Sequence, residues 1–291
     1  ITNGNQTSGA GTADVIEFAT KLEAQDLANS GWNYTSASSF ITLSFWVKSS
    51  VAQNFYGQLV TTDGTQQNYP FETGSLTADT WTKITKTIRG NSNLQFDNNA
   101  EKGIDIKWIM FRGTNTTGSV SLNAWAANNN SVRMPNNTST WYTTNDATFE
   151  ITGVQLEVSD HATSFEHRSY SDELLRCMRY FQTFKAPNGE YTRFGLAAAG
   201  ASTSVRIPIW HIIEMRAKPT FSYVGSNGDY QMPGSSNGFN ISQVIVENNT
   251  GSARSTVLQN GYVAGLTQYG CYQFSANGQS NNAALLFSAE L

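Results

Sequence analysis

Apolar and polar residues alternate in short runs along most of the chain. Over residues 40–47, Ile41, Leu43, Phe45 and Val47 fall on one face, and Thr42, Ser44 and Trp46 on the other. A period of two is that of a β-strand, whose successive side chains point to opposite faces. Trp46 on the second face implies that this face is also covered, or that it carries a binding surface. Residues 15–23 alternate in part, through Val15, Ile16, Phe18 and Leu22, and residues 55–61 supply a partner strand before an Asp63-Gly64 turn. Residues 81–88 place Ile84 and Ile88 opposite Trp81 and Lys83, and the lysines suit an edge strand, because charge discourages edge-to-edge pairing. Residues 104–111 set Ile104, Ile106, Trp108 and Met110 against Asp105 and Lys107. In residues 149–158, Phe149 and Ile151 alternate with polar neighbours, and the phase shifts after Gly153 to Val154, Leu156 and Val158. A glycine at a phase change predicts a β-bulge.

The period changes after residue 168. Leu174, Cys177, Met178 and Phe181 fall at i, i+3, i+4 and i+7, one face of a helix that is expected to pack on its own domain. Ser169 or Ser171 serves as N-cap, and Ser169 with Asp172 matches a capping box. Asp172 and Glu173 lie in the first turn, where the helix dipole favours anions. Beyond a turn at residues 186–189, seven short strands are expected, at 191–197, 204–210, 219–224, 241–246, 255–263, 269–274 and 283–289, with Gly and Asn in the gaps. That spacing suits a sandwich. The chain therefore reads as mainly β, with two β-sandwich or jelly-roll-like domains joined by one short α-helix. The expected division is a lead-in or linker at 1–12, a jelly roll at 13–168, the connecting helix at 169–185 and a C-terminal β-sandwich at 186–291.

The segments ITGVQLEV, FEHRSY and the helix ending RCMRYFQ resemble, in that order, a module of bacteriophage virion proteins: tail fibres and related appendages, especially of marine phages. FITLSFWVKSS at 40–50 and WTKITKTIRG at 81–90 fit the same family. The resemblance spans roughly residues 15–181. It implies a first domain like a carbohydrate-binding-module jelly roll, and a role as a tail-fibre or appendage component contributing to recognition of host-surface polysaccharide. It further implies a homotrimer that contacts other virion proteins and is assembled in the host cytoplasm into the virion. In such a trimer Leu175 and Tyr180 would meet their counterparts near the axis. A capsid decoration or head-fibre protein, or the non-catalytic sugar-binding part of a polysaccharide-degrading enzyme, remain the alternatives.

Composition narrows the classes. Of 291 residues only 14% are charged, while 39% are hydrophobic and 12% aromatic, so the chain has the means to bury cores beneath a polar, weakly charged surface. The net charge of −4 and the absence of a basic run give a nucleic-acid role no support. No apolar stretch approaches the ~20 residues of a membrane-spanning helix, so no membrane insertion is expected. The two cysteines, Cys177 and Cys271, read as buried, reduced thiols, which fits assembly in a cytoplasm.

Candidate chemistry is sparse, and the chain is read as a non-enzyme. His161 and His167 fit no common zinc spacing. Glu17, Glu23, Glu150 and Glu157 supply carboxylates that any β protein offers, and no nucleophile elbow or phosphate-binding loop occurs. No metal or cofactor is expected from the residues. Jelly rolls of the kind the chain resembles often carry a structural calcium, but no residue run places one. The better clue is the aromatic content of the loops. Trp32 and Tyr34 lie in a loop at 25–38, and Trp125, Trp141 and Tyr142 in a long polar loop at 114–146. Loops of that length are usually functional or partner-bound. These five rings are candidates for stacking on sugars, with capping of the core or filling of a subunit interface as the competing roles.

Overall fold

The computed structural model describes residues 1–4, 9–187, 191–226, 229–232, 239–240, 244–247, 251–260, 266–277 and 283–291. The chain is mainly β and divides into two compact units, Ile1–His167 and Arg168–Leu291.

The first unit runs β1 (Val15–Glu23), α1 (Ala24–Ala28), β2 (Phe40–Ser49), β3 (Asn54–Thr61), β4 (Gln67–Ser75), β5 (Thr82–Arg89), β6 (Lys102–Arg112), β7 (Ala126–Ala127), α2 (Thr140–Thr143) and β8 (Phe149–Glu157). Its strands form an antiparallel five-stranded sheet ordered β1-β6-β3-β4-β7 and a three-stranded sheet ordered β5-β2-β8. The alternation in the sequence is what joins them. Ile41, Leu43, Phe45 and Val47 of β2 meet Leu59, Phe71, Ile106 and Trp108 of the larger sheet in one core. Phe45 stands edge-on to Trp108 at 5.6 Å. β5 is a sheet edge, as its lysines suggest. The bulge at Gly153 is present. Between the pairs Ser44–Gln155 and Trp46–Thr152, β8 has two residues opposite one of β2, and Gly153 takes φ +59°, a conformation that favours glycine.

Two expectations change here. Residues 1–12 were read as a mobile lead-in, yet Thr2 bridges to Thr148, and the buried Asn3 donates to the carbonyls of Trp141, Tyr142 and Thr144. An asparagine that satisfies three carbonyls around a short helix fixes that stretch of chain. The loop at 25–38 begins with α1, and the loop at 114–146 contains β7 and α2, both too short to show a period.

The second unit runs α3 (Tyr170–Met178), β9 (Phe181–Lys185), β10 (Arg193–Ala201), β11 (Ser204–Trp210), β12 (Thr220–Val224), β13 (Tyr230–Met232), β14 (Phe239–Asn240), β15 (Val244–Val246), β16 (Ser255–Asn260), β17 (Cys271–Ala276) and β18 (Ala284–Ser288). A seven-stranded sheet, β14-β13-β17-β10-β11-β16-β15, shares a core with a three-stranded one, β12-β18-β9, through Ile207, Tyr230, Phe274, Leu285 and Phe287. The seven expected strands correspond to β10, β11, β12, β15, β16, β17 and β18. Residues 188–189 of the expected turn, 241–243 of the fourth strand and 261–263 of the fifth lie outside the described residues.

The helix is capped as expected: the Ser169 hydroxyl accepts from the Asp172 N–H. Its length and packing are not as expected. It ends at Met178, and Phe181 opens strand β9, where it pairs with Ser288. No helix residue is buried, so the face of Leu174, Cys177 and Met178 is not packed into a core. Cys177 and Cys271 are free, but both are exposed rather than buried. Cys271 lies on the outward face of β17, the side opposite the core-facing Phe274.

Two outcomes follow from this packing. A Cβ on Gly57 would overlap the Phe71 ring and come within 2.7 Å of the Lys107 carbonyl oxygen, so Gly57→Ala should lower the stability of the first unit by roughly 1–3 kcal/mol in denaturant titration, the usual cost of overpacking. In the second unit, burial holds the His211 imidazole below its ordinary pKa. Its Nε2 faces the Thr256 hydroxyl and its ring packs on Phe287. A depressed His pKa gives stability that is complete above the ordinary value and is lost as pH falls below it. The melting temperature of the second unit should therefore drop between about pH 7 and pH 5, and His211→Gln should flatten that dependence.

Candidate functional site

The five sequence-selected aromatics do not gather at one surface. Trp32 and Trp141 are core residues, 3% and 0% exposed, so neither has a face free for a sugar. Trp32 and Tyr34 close one end of the sandwich against Phe96. Trp141 is pinned by its indole N–H to the Thr148 carbonyl. Trp125 and Tyr142 are half-buried: Trp125 lies on Tyr69 and donates to the Arg89 carbonyl, while Tyr142 lies on Phe111 and donates to Asp14. The exposed rings of the unit are others, Phe18 and Phe165 among them. Trp46 and Trp81 are each about two-fifths exposed, with the Lys48 ammonium 5.1 Å from the Trp81 ring centre. Part of that sheet face is covered, because Thr42 and Thr87 donate to the carbonyls of Ser159 and Asp160, and Thr42 and Ser44 are buried. The face read from Trp46 is therefore covered in part and open at Trp46 itself.

The four acidic candidates are each engaged. Glu17 binds Lys107 and Arg112, Glu23 accepts from Gln25, Glu150 pairs with Lys48, and Glu157 accepts from Thr163. Burial raises the Glu17 carboxyl, but Lys107 and Arg112 outweigh it and hold its pKa below the usual value. Among the described residues no three His, Cys, Asp or Glu side chains are grouped as metal ligands would be.

A polar pocket on the outer face of the five-stranded sheet is better formed than any of these. The register builds it. Gln58 of β3 lies between Lys107 of β6 and Pro70 of β4, and in the next row Val60 lies between Asp105 and Asn68. Residues 126–134 form the wall. β7 pairs with Gln67 and Asn68, the Asn68 side chain donates to the Arg133 carbonyl at 2.7 Å, and the Arg133 N–H donates to the Thr116 carbonyl. The result is a cavity of about 140 Å³ between the sheet and the loop.

Its polar groups are incompletely used. Gln58 is fully buried, and neither end of its amide has a partner among the described residues. Asp105 is buried and gives one oxygen to Lys102 at 2.9 Å, while its other oxygen is unmatched among the described residues. The Asn128 oxygen and the Arg133 Nε are also buried and unmatched there. An unmet buried polar group costs on the order of 1–3 kcal/mol, so several around one cavity form a surface that gains by meeting a ligand rich in hydroxyls. An amide offers a donor and an acceptor side by side, as do the neighbouring hydroxyls of a sugar.

The proposed interface residues lie in the second unit. Leu175 is about half exposed on α3, beside a shallow hollow lined by Asp172, Arg179 and Ile213. Tyr180 is half-buried in the turn after the helix.

No protein-family model matches the chain, and no curated protein does. Among solved structures, a cycloisomaltooligosaccharide glucanotransferase of Paenibacillus sp., complexed with cycloisomaltoheptaose, aligns over 98% of this chain at 8% identity and a TM-score of 0.16. The chain spans 43% of that enzyme's length, and a likeness this slight bears on neither fold nor function.

Proposed function

We propose that the chain is a structural component of a bacteriophage virion, a tail-fibre or appendage subunit whose first domain binds host-surface glycan. The observation that carries the binding reading is the fully buried Gln58 amide, unmatched at both ends, in a pocket lined by further unmatched polar atoms. The ordered motifs at 40–50, 81–90 and 151–182 support the virion assignment. Assembly as a trimer is supported by apolar exposure on the second unit. Leu196 and Trp210, on the outward faces of adjacent strands β10 and β11, are 67% and 71% exposed, and Leu175 is exposed on α3. A second copy would cover surface of this kind at a gain of about 25 cal/mol per Å² of apolar area.

Gln58→Leu tests the site. It removes two unmatched polar groups while keeping the volume, so the variant should gain on the order of 1 kcal/mol in denaturant titration and lose binding on a glycan array. A variant that binds as well as the parent would remove the site from the proposal. For assembly, light scattering after size exclusion should give the mass of a trimer, and Leu175→Ser combined with Tyr180→Ser should shift it towards monomer. A parent protein that elutes as a monomer would count against the appendage reading.

A further inference from the structure

The charges around the pocket narrow its ligand. The chain as a whole carries a net charge of −4, yet the cavity is lined by Lys102, Lys107 and Arg133 against one carboxylate, Asp105. Asp105 is matched by Lys102. Lys107 shares its partner, Glu17, with the buried Arg112, so one carboxylate serves two cations. Arg133 gives Nη2 to the neutral side chain of Asn130 at 2.6 Å, and its Nε is buried with no partner among the described residues. With Arg112 beside the pocket included, these groups set four cations against two carboxylates, and the lining holds a guanidinium N–H of Arg133 with no acceptor among the described residues. A guanidinium bonds most strongly to an anionic oxygen, and a site shielded from water strengthens the attraction. The oxygens of Gln58, Asp105 and Asn128 that are unmatched among the described residues suit hydroxyl donors rather than another anion.

We infer that the pocket takes an anionic saccharide, with the acid group on Arg133 and the ring hydroxyls on Gln58 and Asp105. The inference rests on the glycan-binding reading and adds the charge of the sugar to it. No covalent step is involved. A carboxylate, as in a uronic acid, and a sulfate ester offer the same chemistry to Arg133, and the probes separate them.

The test is calorimetric titration of the full chain with three oligosaccharide sets of equal length: galacturonate oligomers, sulfated galactan oligomers and neutral galactan oligomers. At least one acidic set should bind about tenfold more tightly than the neutral set, a typical contribution of one charge-assisted hydrogen bond, and the difference should shrink as salt is raised. Arg133→Gln should weaken binding of the acidic sets by about tenfold, bringing them down towards the neutral set. Equal affinity for neutral and acidic sets, or an acidic preference that survives Arg133→Gln, would overturn the charge assignment and leave glycan binding standing. Binding of none of the three sets would overturn glycan binding itself, and this inference with it.

Discussion

The first unit depends on the difficulty of covering a sheet on both faces. One face of the five-stranded sheet is apolar and closes against β2 and β5, which the hydrophobic effect drives without further specification. The other face carries Gln58, Asp105, Lys107 and Asn68, and residues 126–134 lie over it. Polar groups taken out of water need partners. The Asn68 bond to the Arg133 carbonyl meets part of that demand from the loop, and Glu17 of β1 meets it for Lys107 and Arg112 of β6. Where the demand is left unmet, the candidate site appears. The second unit solves the same problem differently, leaving the outward side chains of β10 and β11 uncovered.

How much of this was legible follows from period and length. β2, β6 and β8 announce themselves because one face is uniformly apolar, and the bulge shows as a phase slip at a glycine. β4 does not, because Pro70 interrupts its interior and a proline argues against a strand. It is accommodated where β7 pairs only with Gln67 and Asn68, so that β4 is a sheet edge at Pro70. β9 was absorbed into the helix because Phe181 continues the spacing begun at Leu174, and a five-residue strand gives too few repeats to override that.

The site was less legible for a different reason. Aromatic rings in loops were read either as sugar-stacking surfaces or as caps on the core, and Trp141, on a four-residue helix, and Trp32, in an irregular segment, take the second role by turning inward. Gln58 could be placed on an outward face by the alternation of Phe55, Gly57 and Leu59 around it. Its importance depends on strands distant in sequence that set Lys107 and Asp105 beside it, and on a wall some seventy residues away. Pairing of that kind leaves no local trace.

The two margins of the smaller sheet carry a consequence of their own. β5 presents Lys83 and Arg89 along one margin, and β8 is broken on the other by the Gly153 bulge, beside a segment tied down by the Glu157 and Gln155 side chains. Neither margin offers a flat row of free backbone donors and acceptors to a neighbouring molecule. Copies of this domain crowded at high local concentration would resist joining strand by strand through this sheet.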